Sequence, residues 1–118
     1  KTGRKVTVYD TPGSCRGYTY VGDLVDIVSR LAVMPWTWDH EHFNIGGSEI
    51  VLLDDVYRIF LNHVKNFRNN VVYLEAPKSD IIANYACIEK AKAMIGFDPP
   101  KNFKEKLTSI IKMELGDA

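Results

Sequence analysis

One stretch constrains this chain more than any other: Arg16-Gly17-Tyr18-Thr19-Tyr20-Val21-Gly22-Asp23-Leu24-Val25. It sends an extended segment straight into a helix. Tyr18, Thr19, Tyr20 and Val21 are aromatic or β-branched, the residue types that favour strands. From Val21 the apolar spacing becomes helical. Val21, Leu24, Val25, Val28, Leu31 and Ala32 recur at i, i+3, i+4, i+7, i+10 and i+11. Asp23, Asp26, Ser29 and Arg30 take the other face, and Asp23 falls in the first turn, where a carboxylate suits the helix dipole. The pattern predicts a helix over 21–34, stopped by Pro35. Arg16 then stands where a strand ends and a helix begins. A fixed guanidinium beside exposed amide groups is a candidate anion site.

The rest of the chain supplies the partners for this unit. Val6 and Val8 alternate with Lys5, Thr7 and Tyr9, predicting a strand at 5–9 that ends in the turn residues Asp10 to Ser14. Phe43-Asn44-Ile45 predicts a strand at 43–46, ending at Gly46-Gly47. Leu53, Val56, Phe60, Leu61 and Val64 predict a helix over 53–66, with Asp54 and Asp55 in its first turn. Leu52 at the capping position makes that start weaker by about 1 kcal/mol than a Ser or Thr would. A third strand is expected at 71–75, then a helix at 88–95 closed by Gly96. After the rigid Asp98-Pro99-Pro100, Asn102 and Glu105 resemble a capping box, and a last helix is expected over 102–114. Three to four short strands and about four helices without a repeat imply an α/β (mixed α+β) fold. A length of 118 residues fits one small domain, 1–118.

Charge and cysteine usage remove several function classes. Lys plus Arg and Asp plus Glu each total 15, so no basic field points to nucleic acid. No apolar run has the length of a membrane span. No secretory-leader pattern is read at the start. The chain opens on lysine in mid-pattern, so a piece of a longer protein is expected. Cys15 and Cys87 have neither CxxC nor zinc spacing and read as reduced thiols of a cytoplasmic protein. His40-Glu41-His42 reads as surface loop rather than metal site, because adjacent residues point to different sides and His63 lies on a helix. Trp36 and Trp38 are read as covers for an edge of the core.

Several segments, in order, resemble one family. The Arg16–Val25 stretch is similar to the "Arg-x-aromatic-Thr-aromatic-Val-x-Asp-Leu-Val" segment of the extended short-chain dehydrogenase/reductases, the NAD(P)-dependent nucleotide-sugar epimerases and dehydratases. Phe43-Asn44-Ile45-Gly46-Gly47 resembles its "Tyr-Asn-Ile-Gly-Gly". Ser79-Asp80 stands at its "Gly-Asp", with Tyr85-Ala86 downstream. Lys90-Ala91, Ile95-Gly96-Phe97-Asp98-Pro99 and Leu107 resemble its closing pattern. The resemblance implies the carboxyl-terminal, substrate-binding part of a Rossmann-type epimerase/dehydratase. Neither GxGxxG nor Tyr-x-x-x-Lys occurs here, so no catalytic residue is assigned and NAD(P) is expected in an amino-terminal part.

Site residues follow position by position. Arg16 matches an arginine that contacts the substrate diphosphate, against the alternative of a surface arginine paired with an acidic neighbour. Asn44 matches an asparagine near the nucleotide end, or is a strand-end residue satisfying nearby backbone. Asp80 and Tyr85 match positions near the pocket, or are turn and core residues. Pro77 falls where relatives carry a second phosphate-binding arginine, which leaves Lys78 as the nearest substitute. Gly17, Ser79, Cys87 and Lys106 also depart from the pattern. The implied partners are a nucleotide-diphosphate sugar and an amino-terminal Rossmann part, with a homodimer allowed. The second reading is a non-catalytic interaction or assembly module diverged from that segment.

Overall fold

A computed structural model describes residues 4–35 and 37–116, Asp10 by its backbone alone. The fold is mixed α/β. In chain order it runs β1 (Val6–Asp10), β2 (Cys15–Gly17), α1 (Val21–Val33), β3 (Ile50–Leu52), α2 (Leu53–His63), a 3-10 turn (Phe67–Asn70), β4 (Val71–Glu75), β5 (Ala83–Asn84), α3 (Glu89–Ile95) and α4 (Phe103–Leu115). β1 lies parallel to β4, in register from Val6↔Val71 to Asp10↔Glu75. The other sheet has the order β3-β2-β5, with β2 parallel to β5 through Cys15↔Ala83 and Arg16↔Asn84.

The chain threads back and forth between two compact units. The first comprises Lys1–Arg16, Val51–Asn84 and Asn102–Ala118; the second comprises Gly17–Ile50 and Tyr85–Lys101. In the first, α2 packs on α4, and Val51, Ile59 and Ile111 are buried. Aromatic side chains brace α2 against the 3-10 turn and β4. Phe60 stacks on Phe67 at 5.3 Å, and Tyr57 meets Tyr73 of β4 edge-on at 6.1 Å. In the second unit, Ile27 of α1 joins Ile88, Ala91, Ile95 and Phe97 in a buried cluster. Leu31, Met34, Trp38, Phe43 and Ile45 pack around it. Trp38 thus covers the core, tilted on Phe43 at 5.6 Å, while Trp36 lies outside the described residues.

Five local expectations are corrected. The strand after Ser14 comes earlier than the Tyr18–Val21 run, at Cys15–Gly17, because Cys15 and Arg16 are the residues that find partners in β5. Tyr20 stays extended (φ −78°, ψ 130°) only as the residue before the helix. No strand forms at 43–46. That segment packs Phe43 and Ile45 on the core but has no ladder, and the strand falls instead at Ile50–Leu52. The helix expected over 53–66 ends at His63. There the Val64 N–H donates to the Phe60 carbonyl, and Asn66 turns left-handed at φ 59°. The capping box at Asn102 does not form, since Asn102 makes no side-chain cap bond. Finally, the apolar stripe expected on α1 is mostly on the surface, and Ile27, outside that stripe, is the buried residue.

The other helix ends follow the sequence closely. Leu52 does stand uncapped before α2. Gly96 closes α3 at φ 66°, a conformation that costs glycine no Cβ clash.

Candidate functional site

In the first unit the site forms around Arg16. Its backbone is fixed twice, by β2–β5 pairing and by the Cys15 N–H donating to the Ile82 carbonyl at 2.8 Å. Its Nη1 donates to the carbonyls of Cys15 (2.8 Å) and Ile82 (3.2 Å) and to the hydroxyl of buried Ser14 (3.4 Å). Nη2 lies 3.9 Å from Oδ1 of Asp80. The Asp80 carboxylate is aimed by two further contacts. Its Oδ2 accepts from the Thr11 hydroxyl at 3.2 Å, and its backbone N–H closes a turn onto the Pro77 carbonyl at 2.9 Å. Pro77 therefore starts the turn that presents Asp80, and Lys78 sits exposed within it.

The hydrogen bonds of this guanidinium to described residues all use Nη1, so the Nε–Nη2 edge is the one available to a ligand. Asp80 faces that edge loosely. Side-chain exposures of 33% and 30% and a separation of 3.9 Å make this a half-exposed pair. Such a pair contributes about 1 kcal/mol or less. A charge-assisted arginine contact to a phosphate contributes about 1.5–3 kcal/mol, more than this half-exposed ion pair does. Sequence reading named Arg16 and Asp80 separately. It allowed Arg16 an acidic neighbour without naming Asp80 as that neighbour, and it missed Ser14 and Ile82 as the groups that hold Nη1.

Asn44 and Tyr85 belong to the second unit. Asn44 is exposed in the irregular segment before Gly46. Tyr85 is exposed too, but its Cβ presses on Gly17, where a Cβ would come within 2.9 Å of it. In this chain a side chain at position 17 would collide with Tyr85. Gly47 is tighter still. A Cβ there would lie 1.9 Å from the Tyr18 carbonyl oxygen. Three backbone stretches, at 17–18, 46–47 and 85–86, thus approach within contact distance, and glycines make that approach feasible.

Beside them is a mixed polar and apolar hollow of about 220 Å³ whose lining includes Ser48, Ile50, Cys87, Ile88, Lys92 and Lys101. Lys92 is paired with Asp98 at 3.5 Å, and the Ser48 hydroxyl donates to the Pro99 carbonyl at 2.8 Å. At that size it is too small for a whole nucleotide sugar. No sequence motif singled out Lys92 or Lys101. The His40–His42 pair packs edge to face at 4.6 Å, and Glu41 between them is claimed by Lys90, whose ammonium also sits 5.3 Å from the Phe43 ring centre. That hydrogen bond holds the Glu41 carboxyl below its ordinary range. Cys15 and Cys87 are free thiols.

No family model matches this sequence. An uncharacterised protein of Methanocaldococcus jannaschii is 27% identical over 108 residues, 89% of this chain and 31% of that protein. Among solved structures, MoeE5 in complex with UDP-glucuronic acid and NAD superposes with a TM-score of 0.81 at 22% identity. The match covers 98% of this chain and 38% of that one. UDP-glucose 4-epimerase of Thermotoga maritima with UDP-glucose gives 0.75 at 24% identity, over 98% and 36%. The chain therefore spans about a third of the length of the proteins it matches. At these identities the likeness shows the fold, that of part of an epimerase/dehydratase-type chain.

Proposed function

We propose that this chain is the nucleotide-sugar-binding segment of an NAD(P)-dependent epimerase/dehydratase-type protein, and that Arg16 binds the diphosphate. The observation that carries the reading is the held guanidinium. Arg16 is anchored through Nη1 and keeps its Nε–Nη2 edge for a ligand, on a fold that matches MoeE5 with UDP-glucuronic acid over nearly its whole length. A planar fork fixed in this way suits two phosphate oxygens at once. In this reading Asp80 keeps the guanidinium oriented until the ligand arrives. Lys78 contacts the nucleotide sugar, and NAD(P) binds to a part that these residues do not supply. NAD(P) would provide the hydride chemistry, while this segment binds and orients the sugar nucleotide.

The test is a protein-detected NMR titration of UDP into the 118-residue chain. Movement of the Arg16 Nε–H resonance, lost in Arg16→Ala, supports the reading. An unchanged Arg16 resonance at millimolar UDP refutes it. The second reading, an assembly module, is favoured by the engagement of Arg16 with Asp80, which serves a purely structural residue equally well.

A further inference from the structure

The first unit holds a groove that the Arg16 site does not use. Its walls come from α2, α4 and the start of β1, and its volume is about 540 Å³. On α4, Leu107, Ile110, Ile111 and Leu115 recur at i, i+3, i+4 and i+8, so one helix face lines it. Phe60 and Val64 line it from α2, and the stacking of Phe67 on Phe60 braces that wall. Ile111 is buried, whereas Val6, Ile110 and Leu115 stay 42%, 39% and 37% exposed. The fold has thus gathered apolar side chains without covering them. Concave apolar surface with a few polar groups is the usual form of a small-molecule site, and this volume lies within the range of such sites.

Charges among the lining residues limit what the groove can hold. Arg4 and Lys5, just before β1, line it together with Glu114 of α4. None of the three has an ion pair among the described residues. Two cations against one carboxylate leave a net positive charge. Arg and Lys stems lie along apolar surface while their heads meet an anion. Glu114 disfavours a doubly charged head by like-charge repulsion, which selects a carboxylate over a phosphate. A partner helix is the wrong shape. α2 packs directly on α4, so the space between them is narrower than the roughly 10 Å that a helix occupies. A flexible alkyl chain fits where a helix does not.

We infer that this groove binds a small amphiphile with an alkyl body and one carboxylate head. The body lies against the apolar face of α4, and the head meets Arg4 and Lys5. The groove shares no residue with Arg16 and the groups that hold it, so the inference goes beyond the proposed function and does not depend on it.

The experiment titrates octanoate, below its micellar concentration, into the 118-residue chain and follows methyl and Arg16 Nε–H resonances by NMR. The Leu107, Ile110 and Leu115 methyl signals should move saturably at millimolar octanoate, with Arg16 unmoved. Octanol, of the same length without the charge, should bind about fivefold more weakly or worse. Arg4→Glu combined with Lys5→Glu should weaken octanoate at least tenfold, and Glu114→Gln should tighten it about twofold. Ile110→Trp fills the groove and should abolish the response while far-UV circular dichroism stays native. If that variant unfolds, Leu115→Trp decides. No saturable methyl response overturns the inference, as does equal binding of octanol and octanoate, or equal binding by the Arg4→Glu, Lys5→Glu protein. Movement of Arg16 in place of the methyl signals also overturns it. A weaker complex with Glu114→Gln does so too, because the ligand would then present a cation. A dimer of the free chain that Ile110→Trp makes monomeric overturns it by making a second copy the occupant.

Discussion

Arg16 is the residue at which the two readings part. If it binds diphosphate, Arg16→Ala should cost about 1.5–3 kcal/mol, or about tenfold to a hundredfold in UDP affinity, read by the NMR titration. Arg16→Lys keeps the charge but cannot hold Cys15, Ile82 and a phosphate with one planar fork, so it should also bind more weakly than wild type. Equal dissociation constants for all three proteins would leave Arg16 as the partner of Asp80 and nothing more. The glycines give a prediction independent of function. Gly47→Ala sets a methyl group 1.9 Å from the Tyr18 carbonyl oxygen, so the backbone must move. The expected loss is about 1–3 kcal/mol in denaturant unfolding. A third residue-scale effect is titration. The Lys90 hydrogen bond lowers the folded pKa of Glu41. Its contribution is therefore complete above the ordinary glutamate range and disappears as pH falls through the depressed folded value. The melting difference between wild type and Lys90→Met should be present at neutral pH and shrink on acidification. A difference that stays constant into the acid range would mean that the pair contributes nothing.

At the scale of elements, local pattern placed the helices and misplaced their faces. α1, α3 and α4 begin and end within a residue or so of the expected bounds, because Pro35, Gly96 and Gly116 stop them by local backbone chemistry. The buried residues of α1 and α2, however, are Ile27 and Ile59, and neither lay in the stripes read from spacing. Both helices have apolar arcs wider than one stripe, and which part is buried depends on what packs there. Those partners, α3 for Ile27 and α4 for the first unit, come from distant sequence that spacing cannot see. Strand errors have the same origin. β2 is a strand because Ala83 and Asn84 are there to pair with it, while 43–46 has strand-like residues and no partner. The corrected face carries its own prediction. Ile27→Ala should destabilise the chain by about 2–5 kcal/mol, whereas Val28→Ala, one position along but exposed, should change it by about 0.5 kcal/mol or less. Similar losses for both in urea unfolding would mean that Val28 is packed as tightly as Ile27.

At the scale of the whole molecule, the candidate site was legible in pieces. Arg16 and Asp80 were visible as residue types in an ordered series of segments. Their meeting was not visible, because it depends on a turn made by Pro77 and on strand pairing across 66 residues or more of intervening sequence. The same dependence bears on the cofactor. A dinucleotide needs a glycine-rich turn between a strand and a helix N-terminus, so that backbone amides can reach the pyrophosphate. In this chain the strand-to-helix step at β3–α2 has no turn at all, since the strand ends at Leu52 and the helix starts at Leu53. The step into α1 runs through Tyr18-Thr19-Tyr20, with no glycine between the end of β2 and the helix. Neither GxGxxG nor Tyr-x-x-x-Lys occurs in the sequence. The chain alone should therefore show no saturable enhancement of NADH fluorescence at micromolar concentration and no turnover of UDP-, GDP- or dTDP-sugars. Saturable NADH binding by the 118 residues alone would mean that one of these helix starts accepts a pyrophosphate after all, and would make the chain a cofactor-binding protein rather than the segment that holds the sugar nucleotide.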